Sequence, residues 1–172
     1  MKGMVLVYTG NGKGKTTAAL GLACRASGQK KKILMIQFMK GKVNYGELKS
    51  ARLLPGFTIK QFGQPSFVDK KNPAPADIKG AREGLAFAQK AIATQKYDIV
   101  ILDELNVALD FNLVSLKDVL TLISGKPEKL ELVITGRYAH PKIIRLADLV
   151  SEVKEVKHYY KQGVPARKGI EF

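Results

Sequence analysis

Residues Thr9–Thr17 read TGNGKGKTT. They lie between the apolar run Met4–Tyr8 (MVLVY) and the stretch Thr16–Ser27 (TTAALGLACRAS), whose Leu20, Ala23 and Cys24 suit one face of a helix. Strand, glycine-rich loop and helix in that order suit a phosphate. Glycines let successive backbone N–H groups converge, and the helix N-terminus adds a favourable dipole. Lys15 is placed to neutralise phosphate oxygens, and the Thr16 hydroxyl to ligate a magnesium ion. The match to G-x-x-x-x-G-K-[ST] is incomplete, because Thr9 stands at the first glycine position.

Outward from this loop, apolar runs alternate with helical patterns. Strands are expected at Ile33–Phe38 (ILMIQF), Phe57–Phe62, Asp98–Leu102 (DIVIL) and Glu131–Thr135, with a strand-like alternation over Leu149–Val156. Helices are expected at Glu47–Leu54, Ala76–Gln95, Leu116–Ile123 and Pro141–Leu146. Gly63–Pro75 reads as a long loop with three prolines, a length more often functional than idle. Such alternation predicts an α/β fold over a single domain, residues 1–172. Its sheet should be mostly parallel and flanked by helices on both faces, with ligands at the carboxyl ends of the strands.

The second half of a phosphate site is IVILDE, Ile99–Glu104, a buried-type strand delivering Asp103 and Glu104 to the same sheet edge. A carboxylate there can hold a hydrated metal against bound phosphates. The spacing leaves open which of the two serves the metal.

Composition narrows the partners. The 172 residues carry 29 Lys and Arg against 15 Asp and Glu, a formal charge of +14, with 45% hydrophobic residues. Ten of those cations and only Glu47 fall within residues 1–50, so the excess surrounds the first loop. A basic balance suits an anionic substrate, an acidic protein or nucleic acid. Aromatic and basic interleaving of the kind that binds nucleic acid is missing, and a small-molecule kinase would need an acceptor base and an arginine-rich lid that the sequence does not display. One cysteine, Cys24, and two histidines, His140 and His158, are too few for a zinc site, so a metal is expected among oxygens. Without a membrane-length apolar run, the expected location is the cytoplasm, away from membranes.

Five blocks in order carry a resemblance: TGNGKGKTTAALGLACR from Thr9, QFMKG at Gln37–Gly41, DELN at Asp103–Asn106, ITGR at Ile134–Arg137, and the tail VKHYYKQGVPARKGIEF at Val156–Phe172. Together they resemble the ATP:corrinoid adenosyltransferases of the CobA/BtuR type along essentially the whole chain. The resemblance implies a RecA-like P-loop fold. It also implies that a reduced corrinoid, with cobalt as Co(I), attacks the 5′ carbon of ATP and displaces triphosphate, with the nucleotide running along the loop in the opposite sense to that in kinases.

Carried over, Thr9, Gly10, Asn11, Gly12, Lys13, Gly14, Lys15, Thr16 and Thr17 surround the triphosphate, with Arg25 and Arg137 as further phosphate contacts. Lys15, Glu104 and Arg25 are the expected catalytic groups, and Thr16 with Glu104 or Asp103 holds Mg2+ or Mn2+. Phe67 and Phe62 are candidates for displacing the lower axial ligand of the corrinoid, and Gln37, Lys40 and Gly41 for lining its pocket. An acidic, flavodoxin-type electron donor and a homodimer are further implications. With few residues ahead of the first strand, a partner subunit or the long loop is expected to cover the site.

Overall fold

The computed structural model describes residues 2–41 and 45–172. Six strands form one sheet: β1 (Val5–Thr9), β2 (Ile33–Phe38), β3 (Phe57–Phe62), β4 (Ile99–Asp103), β5 (Glu131–Thr135) and β6 (Leu149–Glu152). Their spatial order is β3-β2-β4-β5-β1-β6, and every pairing is parallel. The helices are α1 (Lys15–Gly28), α2 (Gly46–Leu53), α3 (Pro75–Ala93), α4 (Leu105–Asp110), α5 (Leu116–Ser124) and α6 (Pro141–Leu146). The expected α/β architecture is therefore present.

Parallel strands need crossovers, and right-handed crossovers sort the helices between the two faces. The connections β1→β2→β3 run toward one edge and carry α1 and α2, whose Ala19, Ala23, Ala26 and Ala51 pack with Ile33, Met35, Ile99, Ile101 and Val133. The later connections run the other way and carry α3 to α6 onto a larger core that includes Leu34, Ile36, Phe38, Val100, Leu102 and Ile134. Both faces are covered, which is why β2 and β4 are buried at every position and read as continuous apolar runs. Truncating one of these fully buried side chains to alanine costs about 2–5 kcal/mol.

Side chains alternate across a strand, so faces can be assigned by parity. The α1 face of β2 and β4 is apolar until its last position, where it turns polar at Gln37 and Asp103, and in β5 Thr135 follows Val133 at the same level. Register aligns these positions: Gln37 lies opposite Asp103 in β4 and Gln61 in β3. A polar row thus crosses four adjacent strands directly below the N-terminus of α1.

Some elements differ from the sequence expectation. Helix α4 has only six residues and no capping side chain, and an apolar period is unreadable over so short a span. Strand β6 stops at Glu152 although alternation continues to Val156, because β1 turns into its loop after Thr9 and only the backbone bonds of Val153 to Thr9 and Gly12 follow. Helix α3 starts at Pro75, whose fixed φ suits a first helical position, and the Asp77 carboxylate accepts from the Ala74 N–H at 3.1 Å. A short 3-10 turn, Tyr159–Gln162, lies in the tail.

Candidate active site

The β1–α1 loop makes its turn through glycines at positive φ. Gly10 lies at 95° and Gly14 at 122°, and a Cβ on Gly10 would sit 2.5 Å from the Val153 carbonyl oxygen. No side chain caps α1, so its first N–H groups are left for a ligand. Lys15 is almost fully buried, and its Nζ donates to the Gly12 carbonyl at 2.6 Å. Burial pushes the Lys15 ammonium below its usual range, opposed in part by the nearby Glu104 carboxylate.

Opposite the loop, Asp103 is completely buried and saturated with donors. Its Oδ1 accepts from the Thr16 hydroxyl at 2.8 Å and the Thr135 hydroxyl at 2.7 Å; its Oδ2 accepts from Lys40 Nζ at 3.0 Å and Gln37 Nε2 at 3.3 Å. A carboxylate holding four donors is a positioning group, with little capacity left for a ligand. Glu104 differs. Its backbone takes the left-handed conformation, φ 63°, fixed by its N–H donating to the Thr135 hydroxyl at 3.1 Å, and its side chain lines the cleft. Left-handed backbone at a non-glycine residue is uncommon and often marks a functional site. Burial, and then Asp103, push the Glu104 carboxyl above its ordinary range, while Lys40, Lys15 and Arg137 pull it down.

The cleft has a volume of about 890 Å³ and is lined by Gly12–Thr17, Lys40, Tyr45, Glu47, Glu104 and Arg137, together with part of the tail. That volume suits a nucleotide-sized ligand. Four cations, Lys13, Lys15, Lys40 and Arg137, share the cleft lining with the carboxylates of Glu47, Glu104 and Glu171. Thr16 and Glu104 fit a divalent cation, since the hydroxyl is held in place by Asp103 and the Glu104 carboxylate makes no hydrogen bond among the described residues. No group of three Asp, Glu, His or Cys side chains converges among the described residues. An ion there would take its remaining ligands from phosphate and water, as magnesium does.

Over its whole length, residues 1–172, the chain matches the family model described as ATP:corrinoid adenosyltransferase BtuR/CobO/CobP. The chain belongs to this family. It is 37% identical over 171 residues to the corrinoid adenosyltransferase of Pseudomonas aeruginosa, covering 99% of this chain and 84% of that one. It is likewise 37% identical to the corrinoid adenosyltransferase of Escherichia coli, covering 99% of this chain and 86% of the relative. Against the corrinoid adenosyltransferase CobA of Salmonella typhimurium the identity is 36%, with the same coverage. As a family member the chain is an enzyme, an ATP:corrinoid adenosyltransferase, and no helix among the described residues is long and apolar enough to cross a membrane.

Within this adenosyltransferase the expected site residues divide. Gly12, Lys13, Gly14, Lys15, Thr16, Thr17, Lys40, Glu104 and Arg137 come together in the cleft. Thr9, Gly10 and Asn11 lie outside its lining, and Thr9 Oγ1 instead accepts from the Ala139 N–H at 3.3 Å. Arg25 is exposed in the last turn of α1, on the order of 15 Å along the axis from Lys15, and does not reach the lining. Gln37 is fully buried, donating to Asp103 and to Glu47 at 3.1 Å and accepting from Gln61 at 3.0 Å. Gly41 packs against Gly63, whose oxygen a Cβ would meet at 1.9 Å. Phe62 stacks on Phe87 with ring centroids 5.4 Å apart, while Phe67 is fully exposed on the loop between β3 and α3.

Thr135 and Glu47 went unread in the sequence. The signal for Thr135 was its place as the last α1-facing position of β5, level with Asp103. Glu47 offered only its isolation among lysines.

Proposed function

We propose that the cleft binds ATP with its triphosphate on the β1–α1 loop, and that the enzyme transfers the 5′-deoxyadenosyl group to the cobalt of a reduced corrinoid. The observation that carries this reading is the convergence of Lys13, Lys15 and Arg137 with Thr16 and Glu104 at one edge of the sheet. In the transfer, the electron pair of Co(I) forms the bond to C5′, the C5′–O5′ bond breaks, and its electrons leave on triphosphate.

The protein's part is positioning and electrostatics. Lys15, buried and preorganised on Gly12, meets the charge that grows on the leaving triphosphate, with Lys13 and Arg137 beside it. Asp103 orients the Thr16 hydroxyl, and Thr135 fixes both Asp103 and the Glu104 backbone. Mg2+ or Mn2+ held by Thr16 and Glu104 would supply further neutralisation of the triphosphate. A side-chain nucleophile or base is unnecessary, because cobalt is the nucleophile and triphosphate departs without a proton.

Phe67, exposed on the loop after β3, is the favoured contact for the corrinoid's lower face, with Phe62 at the end of β3 as the second candidate. The charge of +14 supports a cytoplasmic, acidic electron donor. A homodimer and a role in corrinoid cofactor synthesis or salvage complete the reading, with all 172 residues as one domain.

The test is anaerobic incubation with ATP, magnesium and chemically reduced cobalamin, following the corrinoid's visible spectrum and the phosphate products. A light-sensitive alkylcobalamin with equal triphosphate, lost in Lys15→Ala, is the expected result. Absence of both products with cobalamin and with simpler corrinoids would overturn it.

A further inference from the structure

The tail from Val153 to Phe172 has no core of its own, yet it folds against the β1–α1 loop. Backbone pairing continues past β6: Val153 N–H donates to Thr9 O at 2.8 Å, and Gly12 N–H to Val153 O at 2.7 Å. The chain then turns through Tyr159–Gln162 and doubles back, closed on itself by Glu171. Oε1 of Glu171 accepts from the Tyr159 hydroxyl, and Oε2 from the Arg167 N–H at 2.7 Å. The Arg167 guanidinium lies 4.7 Å from the Tyr159 ring centroid, completing the staple.

This fold-back brings the last residues onto the cleft. His158, Ile170, Glu171 and Phe172 form part of its lining, and Ile170 and Phe172 remain 55% and 44% exposed. Lys13 is the point of contact: its Nζ donates to the Ile170 carbonyl at 3.2 Å and lies 3.8 Å from Glu171 Oε1. An ammonium has three protons, so Lys13 keeps donors for a further anion while the tail holds its position. A lysine side chain free in solvent loses rotamer entropy on being ordered at a ligand, and prior anchoring lowers that cost.

We propose that Glu171 is a positioning residue for the triphosphate site, acting through Lys13: it latches the tail into a wall of the cleft and holds Lys13 ready for phosphate. This rests on the reading that the cleft binds a nucleoside triphosphate. In Glu171→Gln the amide oxygen still accepts from the Arg167 N–H while its NH2 faces the Tyr159 hydroxyl oxygen, which can turn to accept, and the charge beside Lys13 is gone.

The experiment measures binding of magnesium ATP and of inorganic triphosphate by calorimetry to the full chain, to Glu171→Gln, to Lys13→Met and to the double variant. KM for ATP, kcat and thermal midpoint are followed in parallel. Glu171→Gln should weaken both ligands by about two- to fivefold, the scale of a partly exposed ion pair, raising KM for ATP with kcat and the thermal midpoint little changed. In the Lys13→Met background the same substitution should add nothing. Tyr159→Phe, which opens the staple at its other end, should reproduce the loss should Glu171→Gln fail to fold. Unchanged affinity in Glu171→Gln, or an equal further loss in the Lys13→Met background, overturns the proposal. A wild-type chain that binds neither ligand removes the nucleotide reading itself, and the two failures are distinct.

Discussion

Thr16 in the first turn of α1 and Asp103 at the end of β4 are 87 residues apart, and the Thr16 hydroxyl donates to Asp103 Oδ1 at 2.8 Å. This bond ties the end of the β1–α1 loop to the sheet. Because Asp103 also takes Thr135, Gln37 and Lys40, one buried carboxylate sets the geometry of groups from β2, β5, α1 and the segment after β2.

Asp103→Asn tests that arrangement. An amide offers one oxygen to the Thr16 and Thr135 hydroxyls and sets its NH2 against Lys40 and Gln37, donor facing donor. The expected loss is about 2–5 kcal/mol in urea unfolding, the cost of breaking a buried charged network. An unchanged midpoint would show that the four bonds contribute nothing to the fold.

Lys15→Ala removes the buried cation that the proposed mechanism sets against the leaving triphosphate. Loss of a preorganised charge donor costs about 3 kcal/mol or more, so kcat should fall at least a hundredfold, measured as triphosphate released per corrinoid alkylated. A loss confined to KM for ATP would place Lys15 in ground-state binding only.

Phe67→Ala separates substrate contact from packing. Since the ring is fully exposed, stability should stay within about 0.5 kcal/mol of the parent. The KM for corrinoid should rise while the KM for ATP holds. Equal kinetics in the two proteins would remove Phe67 from the corrinoid site.

Gly41→Ala carries a structural cost. The added Cβ would meet the Gly63 carbonyl oxygen at 1.9 Å and its carbon at 2.5 Å, both backbone atoms that no rotamer change can move aside. Chemical denaturation should register a loss of about 1–3 kcal/mol or more.

The tail has its own pH signature. The Tyr159 hydroxyl, then the Arg167 backbone and side chain, hold the Glu171 carboxyl at about 2, below its ordinary 4.5. A depressed folded pKa means that the stabilisation is complete above the unfolded value near 4.5 and is lost as pH falls through about 2. The Glu171 carboxyl carbon, followed by NMR, should titrate near 2, and Tyr159→Phe should move its midpoint toward 4.5. Titration of the parent protein near 4.5 would mean that the staple does not form in solution.

Residues close in the chain determined much of this protein by themselves. The parallel α/β architecture was legible because apolar runs and helical periods are local patterns, and the glycine-rich turn between β1 and α1 because Gly10 to Thr16 are neighbours in sequence. Only the tertiary structure separates Asp103 from Glu104, burying the first among four donors and setting the second in the lining of the cleft. Adjacent positions on a strand end point to opposite faces, and what fills Asp103's oxygens comes from Thr16, Gln37, Lys40 and Thr135, far away in the chain. Gln37 illustrates the same point, since its strand predicts burial but only strand register sets it opposite both Asp103 and Gln61. The tail's role was equally closed to local reading. Beyond Val156 the tail carries no helical or strand period, and its place beside Lys13 comes from contacts 157 residues apart in sequence. Periodicity reports which face of an element is buried, whereas a binding site is a meeting of element ends, and packing alone brings those ends together.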